Sequence, residues 1–431
     1  MTSSGENIDR KSVAGWCVYD WANSPFPAIV LTFVIPAYFI QAVVGDPATA
    51  TTLWAIMTGT AALMIAVLSP ILGSIADQGR RRKPWLAAFT IIMALGAGLL
   101  WFVRPDPDHA MLLLVLVGVS VVAFELSMVF YNALLPTLVP QNWLGRISGW
   151  AWGLGYFGGV GGLLVVLFGF VQADPPPFGL DDSGAALEPI RIAGPIVTLW
   201  LLVFCIPLFV WTRDPRGRGL AAGAAIRFGL SELRSTLAGL RAHPQLWRYL
   251  LARMIFTDGL NTLFAFGGVF AAGTFGMPVT EVIMFGLALN VTAGIGAFAF
   301  GWIDDWIGAK QTILLGLCGL VIVGAPMLLV ESKLAFVVLG SIIGVFFGPV
   351  QAASRSLMAR ITPEGAAGEM FGLYALSGKA TAFVGPWLVA LITAITGSQR
   401  WGIASVLPFL VIGGLLLWLT VQDVPPDRQS S

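Results

Sequence analysis

The run Gly73-Ser-Ile-Ala-Asp77-Gln-Gly79-Arg80-Arg81-Arg82-Lys83 separates two apolar stretches, 51–75 and 84–103, each long enough to cross a bilayer as a helix. Its residue types suit a tight turn at a membrane face. Glycine lets the chain turn sharply and lets two helices approach closely. Asp77 can accept hydrogen bonds from the open N–H groups at the start of a neighbouring helix, and the basic residues anchor the turn at anionic headgroups. An ordinary loop accounts for the basic run but not for the spacing of Gly73, Asp77 and Gly79.

The flanking stretches are typical of the whole chain. Of 431 residues, 57% are hydrophobic and 11% charged, against about 25% charged in a water-soluble domain. Long unbroken apolar runs such as Met111 to Val122 do not alternate as the strands of a membrane barrel must. The fold class expected is therefore all-α and integral to the membrane. Twelve spans can be marked out: 15–43, 51–75, 84–103, 110–136, 147–171, 191–212, 247–273, 279–303, 311–330, 333–358, 369–396 and 401–420. An even number returns both termini to one side.

Most Lys and Arg fall on the side of the termini, among them Arg10, Lys11, Arg80 to Lys83, Arg146, Lys310 and Arg360. The opposite side holds only Arg104, Arg191, Lys333 and Arg400, while Arg253, Arg355 and Lys379 lie within spans. The positive-inside rule then places both termini in the cytoplasm of a multi-pass protein of the cell membrane. The polar start, Met1 to Lys11, leads into a long apolar stretch without a small-residue cleavage site, so no cleaved signal peptide is expected. A net charge of +1 offers no field for nucleic acid. Cys17, Cys205 and Cys318, with His109 and His243, have no metal-ligand spacing, and neither metal nor cofactor is expected.

One connection is long. It divides the chain into a six-span half at 1–212, a linker at 213–246 and a second six-span half at 247–431. Ile226, Leu230, Leu233, Leu237 and Leu240 recur at helical spacing in the linker, with Arg227, Glu232, Arg234 and Arg241 between them, the pattern of an amphipathic helix at a membrane surface. The halves also look duplicated. Asp20-Trp-Ala-Asn23 aligns with Asp258-Gly-Leu-Asn261, and Gly73-Ser-Ile-Ala-Asp77 with Gly301-Trp-Ile-Asp-Asp305. Leu138-Val-Pro140 with Gly145 and Gly149 aligns with Ile361-Thr-Pro363 with Gly368 and Gly372, and the offset shrinks from anchor to anchor as shorter loops in the second half require.

The run from Gly73 to Lys83 resembles the signature between the second and third helices of the major facilitator superfamily. The resemblance implies two pseudo-symmetric six-helix halves around a central substrate site. Trp16-Cys-Val-Tyr19-Asp20-Trp21-Ala-Asn23-Ser24, Ala353-Ser-Arg355-Ser-Leu-Met-Ala-Arg360 and Phe371-Gly-Leu-Tyr374-Ala-Leu-Ser377-Gly-Lys379 look like the vacuole-effluxer branch, which includes the autophagy-linked amino-acid effluxers of fungi.

A charge at mid-membrane costs roughly 2.5–3.5 kcal/mol even on lenient scales, so each one needs a partner or a watery cavity. Glu125 and Lys379 both fall near mid-span. They suit the two ends of a zwitterion, with Glu125 open to proton coupling, or else a structural ion pair. Asp20 and Asp258, each followed by an Asn three residues on (Asn23, Asn261), suit a solute site or a polar clasp at the mouth. Arg355 aligns with Asn132, so its charge exists in one half only, which favours binding or gating. For the gate, Glu369 is expected to meet the basic run around Arg80 and Arg82, and Arg146 to meet Asp304 or Asp305.

Gly153-Leu-Gly155-Tyr-Phe-Gly158 matches a dinucleotide fingerprint by letter but sits inside an apolar span with no strand before it, so helix packing explains it better. No catalytic constellation is visible and no enzyme is expected. The expected activity is secondary transport of a small solute, an amino acid or other zwitterion with proton coupling, by a monomer. The alternatives are export of a hydrophobic or anionic compound, or a non-transporting assembly factor on the same fold.

Overall fold

The computed structural model describes residues 8–79, 81–214, 219–238 and 244–422. Twelve helices are long and apolar enough to cross a membrane: Arg10–Val44, Thr49–Gln78, Lys83–Phe102, Pro107–Leu138, Gln141–Val171, Glu188–Trp211, Pro244–Phe275, Glu281–Ile307, Ala309–Met327, Lys333–Ile361, Ala367–Thr396 and Gln399–Thr420. They are spans one to twelve below, and no strand occurs among the described residues. Large apolar side chains such as Leu63, Leu199, Val210 and Trp387 remain exposed on the bundle, as a lipid-facing surface requires.

Two spans are less regular than the apolar runs suggest. Span one is helical over Arg10–Asn23 and continues past Pro25 and Pro27 through wider π-helical turns at Phe26–Phe33. Each proline removes an N–H from the ladder and crowds the preceding turn. Span eleven is two helices, Ala367–Lys379 and Val384–Thr396, joined at 380–383. Pro386 lies in the first turn of the second piece, where its missing N–H costs nothing. The break leaves Lys379 at the C-terminal end of the first piece, where a cation is favoured.

The halves meet along two seams, span two against span eleven and span five against span eight. Backbones are close at the seams because glycines face each other. A Cβ on Gly73 would run into the Gly368 carbonyl, and one on Gly301 would come within 2.9 Å of the Arg146 Cα. Inside a bilayer such small-residue contacts, rather than apolar burial, hold helices together. The dinucleotide-like glycines of span five serve packing too, with Gly158 against the Trp21 backbone and Gly153 against the Phe298 ring.

The linker forms a helix, Ala222–Ala238. It packs on the end of span two, where the Ser74 hydroxyl donates to the Gly229 carbonyl at 2.8 Å and the Gln78 amide donates to Glu232 at 2.9 Å. Leu233 is buried there, whereas Ile226 and Leu230 stay exposed, so the apolar stripe is only partly used against protein. Leu240 and Arg241 lie outside the described residues.

Candidate functional site

The mid-membrane polar residues converge on one cavity of about 410 Å³ between the halves. Span one contributes Asp20 and Asn23, span four Glu125 and Asn132, span seven Arg253, Thr257 and Asn261, and span eleven Tyr374 and Lys379. Trp152, Tyr156, Phe264 and Phe347 supply aromatic wall, and Asn290 and Gln351 add amides. A second hollow, along Pro47, Thr51, Thr52, Ala55 and Ile56, is a shallow groove on the outside of span two. Its Thr51 hydroxyl is taken up by its own helix, donating to the Pro47 carbonyl.

Glu125 and Lys379 meet across the cavity at 2.6 Å, and both side chains keep access to it, 22% and 29% exposed. The pair joins the halves through groups that water or a solute can reach. Asn23 and Asn261, from aligned positions of the repeat, face the same space. Asp258 does not line it. Its carboxylate turns aside to accept the Gly385 N–H at 3.3 Å, at the start of the second piece of span eleven, and its other oxygen has no partner.

Beneath the cavity, toward the termini, Arg355 of span ten is fully buried. Its guanidinium reaches Asp20 at 2.9 Å, the Ser148 hydroxyl at 2.9 Å and the Ser148 carbonyl at 2.8 Å, with Asn132 further off at 3.4 Å. It stacks over Trp16, 4.7 Å from the ring centre. Asp20 therefore has a cation from the opposite half, whereas Asp258, its repeat partner, has none among the described residues. Ser148 and Trp152 carry no charge or repeat signal that would have singled them out in the sequence.

The end of the bundle that holds the termini is closed by two clasps. Asp77 accepts the backbone N–H groups of Gly368 and Glu369, both at 2.9 Å, from the first turn of span eleven. Asp305 accepts those of Gly145 and Arg146 at 2.8 and 3.1 Å, at the start of span five. In both cases a carboxylate satisfies the open donors of a helix start and complements its dipole. Arg146 also pairs with Asp305 at 2.6 Å, one of the two contacts expected of it. The neighbouring Asp304 is taken by Arg360 at 2.7 Å and by the Ser356 hydroxyl.

The other expected gate contact is not made by Arg82. Arg82 folds back on Asp77 at 2.6 Å instead of reaching Glu369. Glu369 lies against the Ser74 hydroxyl at 3.4 Å and keeps one oxygen without a partner. Arg82 lies five positions after Asp77, and the turn after Gln78 brings them together. Arg80 lies outside the described residues. Arg360, which the sequence offered as a positive-inside residue and as the end of a family-like run but without a partner, proves to be a buried partner of the adjacent acids Asp304 and Asp305. Two consecutive acids at a span end were the signal that could have found it.

Comparison with known proteins matches this geometry to transporters. The family model described as vacuole effluxer Atg22 like matches residues 38–144 and 142–424. An uncharacterized MFS-type transporter, YxiO, of Bacillus subtilis is 26% identical over 420 residues, covering 97% of this chain and 96% of that protein. Autophagy-related protein 22 of Kluyveromyces lactis is 23% identical over 468 residues, covering 94% and 92%. Among solved structures, the fucose:proton symporter of E. coli superposes with a TM-score of 0.72 at 14% identity, covering 96% of this chain and 100% of that one. The human organic anion transporter MFSD10 does so with a TM-score of 0.70 at 14% identity, covering 96% and 100%. At such identities the structures speak for the fold, which is that of the major facilitator superfamily.

Proposed function

The chain belongs to the vacuole-effluxer Atg22-like family of multi-pass membrane transporters, and we propose that it moves a small zwitterion, such as an amino acid, by alternating access between halves 1–212 and 247–431. The observation that carries this reading is the Glu125–Lys379 pair, a carboxylate and an ammonium from opposite halves that meet inside the cavity. A solute with both charges can replace each partner for the other without leaving either ion bare, which keeps the exchange inexpensive in a low-dielectric site. Both termini face the cytoplasm of the cell membrane, by the distribution of Lys and Arg, and the protein works as a monomer.

The described state supports such a cycle. Asp77, Asp305 and Arg355 hold the halves together at the termini side while the cavity above them stays accessible. Occupation of the cavity and release of those clasps gives the opposite state, a rocking of packed units around a fixed site.

Uptake of a mixed amino-acid panel into proteoliposomes, with and without an imposed pH gradient, tests the proposal. We expect accumulation of at least one amino acid in the wild type and loss of at least tenfold in Glu125→Gln, which leaves Lys379 unpaired. Stimulation by the pH gradient would identify the proton as the driving ion. Unchanged transport in Glu125→Gln would remove the ion pair from the mechanism.

A further inference from the structure

Arg253 is not matched by a carboxylate. Of the three cations that the sequence places inside the apolar runs, Arg355 is paired with Asp20 and Lys379 with Glu125, but Arg253 pairs with no acid among the described residues. It is 6% exposed and lines the cavity. Its Nη1 donates to the Tyr374 carbonyl and the Ser377 hydroxyl, both at 2.7 Å, and the guanidinium carbon lies over the Tyr374 ring, 3.4 Å from its centre. These contacts hold the fork in place but leave its charge uncompensated. Its Nε–H is buried without an acceptor, and so is the Thr257 hydroxyl.

Arg253, Thr257 and Asn261 repeat every four residues, so they form one stripe of span seven along the cavity wall. Asp258 does not complete this stripe, since five residues correspond to about 140° around a helix, and its carboxylate is engaged at Gly385. A buried guanidinium with a fixed orientation, no counter-ion among the described residues and idle buried donors beside it at a cavity wall is matched by a planar anion.

We infer that Arg253, with Thr257 beside it, is the carboxylate-binding subsite of the cavity. An entering solute anchors its acid group there while Lys379 is still held by Glu125. The aromatic wall formed by Trp152, Tyr156, Phe264 and Phe347 receives the apolar part of the solute. This assignment rests on the reading of the cavity as the solute site, and it holds for a zwitterion and for a simple organic anion alike.

Three probes on one carbon skeleton test it: phenylalanine, 3-phenylpropanoate and 2-phenylethylamine, added to the purified full-length protein while thermal unfolding is followed by tryptophan fluorescence. One or both of the two carboxylates should stabilise the wild type and the amine alone should not. Arg253→Gln should weaken the carboxylate response at least tenfold. Thr257→Val, which leaves the guanidinium in place, should weaken it about threefold, and it decides the matter if Arg253→Gln does not fold. An undiminished carboxylate response in these variants, stabilisation by the amine alone, or no response to either acid overturns the assignment. Stabilisation by 3-phenylpropanoate but not phenylalanine supports Arg253 as the anchor and counts against the zwitterion reading. Amino-acid uptake without any Arg253 effect does the reverse.

Discussion

Asp77 and Asp305 hold equivalent places in the two halves, and each accepts two N–H groups from a helix start of the other half, yet their cations come from opposite directions. Arg82, which neutralises Asp77, belongs to the same half and moves with it. Arg146, the nearer cation of Asp305, belongs to the opposite half. When the halves separate at the termini side, the first clasp loses only backbone hydrogen bonds, whereas the second loses an ion pair as well. Pseudo-symmetry of the chain thus coexists with unequal clasps, the second of which carries an ion pair across the halves. Arg355 adds to the imbalance, since its bond to Asp20 also crosses the halves and is fully buried.

The largest effect is expected at Arg355. Arg355→Gln leaves Asp20 buried without a counter-ion, a loss of roughly 3–5 kcal/mol, read as a large drop in the unfolding midpoint of the purified protein. Adding Asp20→Asn should recover much of it, because the bare charge is then gone. A double variant as unstable as Arg355→Gln would mean that Asp20 carries no charge to compensate.

Next come the clasps, compared directly. Asp305→Asn should cost about 2–3 kcal/mol, since it breaks a charged pair and leaves Arg146 unmatched. Asp77→Asn should cost a similar amount, about 2–3 kcal/mol, because it leaves the buried Arg82 with only the Ala133 carbonyl, but that loss falls within one half. Cysteine accessibility at the termini side should rise more in the first variant, and the reverse order would refute the asymmetry.

The smallest effect is expected at Glu369. With no cation paired to it among the described residues, Glu369→Gln should change stability by less than about 1 kcal/mol. Combining Glu369→Arg with Arg82→Glu should restore nothing, because Arg82 serves Asp77. Recovery of transport or stability in that charge swap would reinstate the contact expected from sequence.

How much of this was legible beforehand follows from the range of each signal. Hydropathy and the Lys/Arg distribution act locally, so twelve spans and the place of the long connection could be read along the chain. The repeat added which residues are equivalent, and with it the neighbourhood of Asp77 to Glu369 and of Asp305 to Arg146. Equivalence does not say which cation an acid takes. Arg82 turns inward to Asp77 rather than across the interface, Arg360 belongs to Asp304 and Asp305, and span eleven breaks between Lys379 and Pro386, which average hydropathy passes over.

The sequence by itself determined that the chain is a duplicated twelve-helix membrane bundle, because apolar length, charge placement and repeated Gly and Asp positions are written in consecutive residues. Only the tertiary structure decided that Arg355 meets Asp20 across 335 positions, that Lys379 meets Glu125, and that Arg253 meets no acid among the described residues. Ion pairing depends on a few ångströms of distance and on helix rotation, and both are set by packing among spans far apart in the chain.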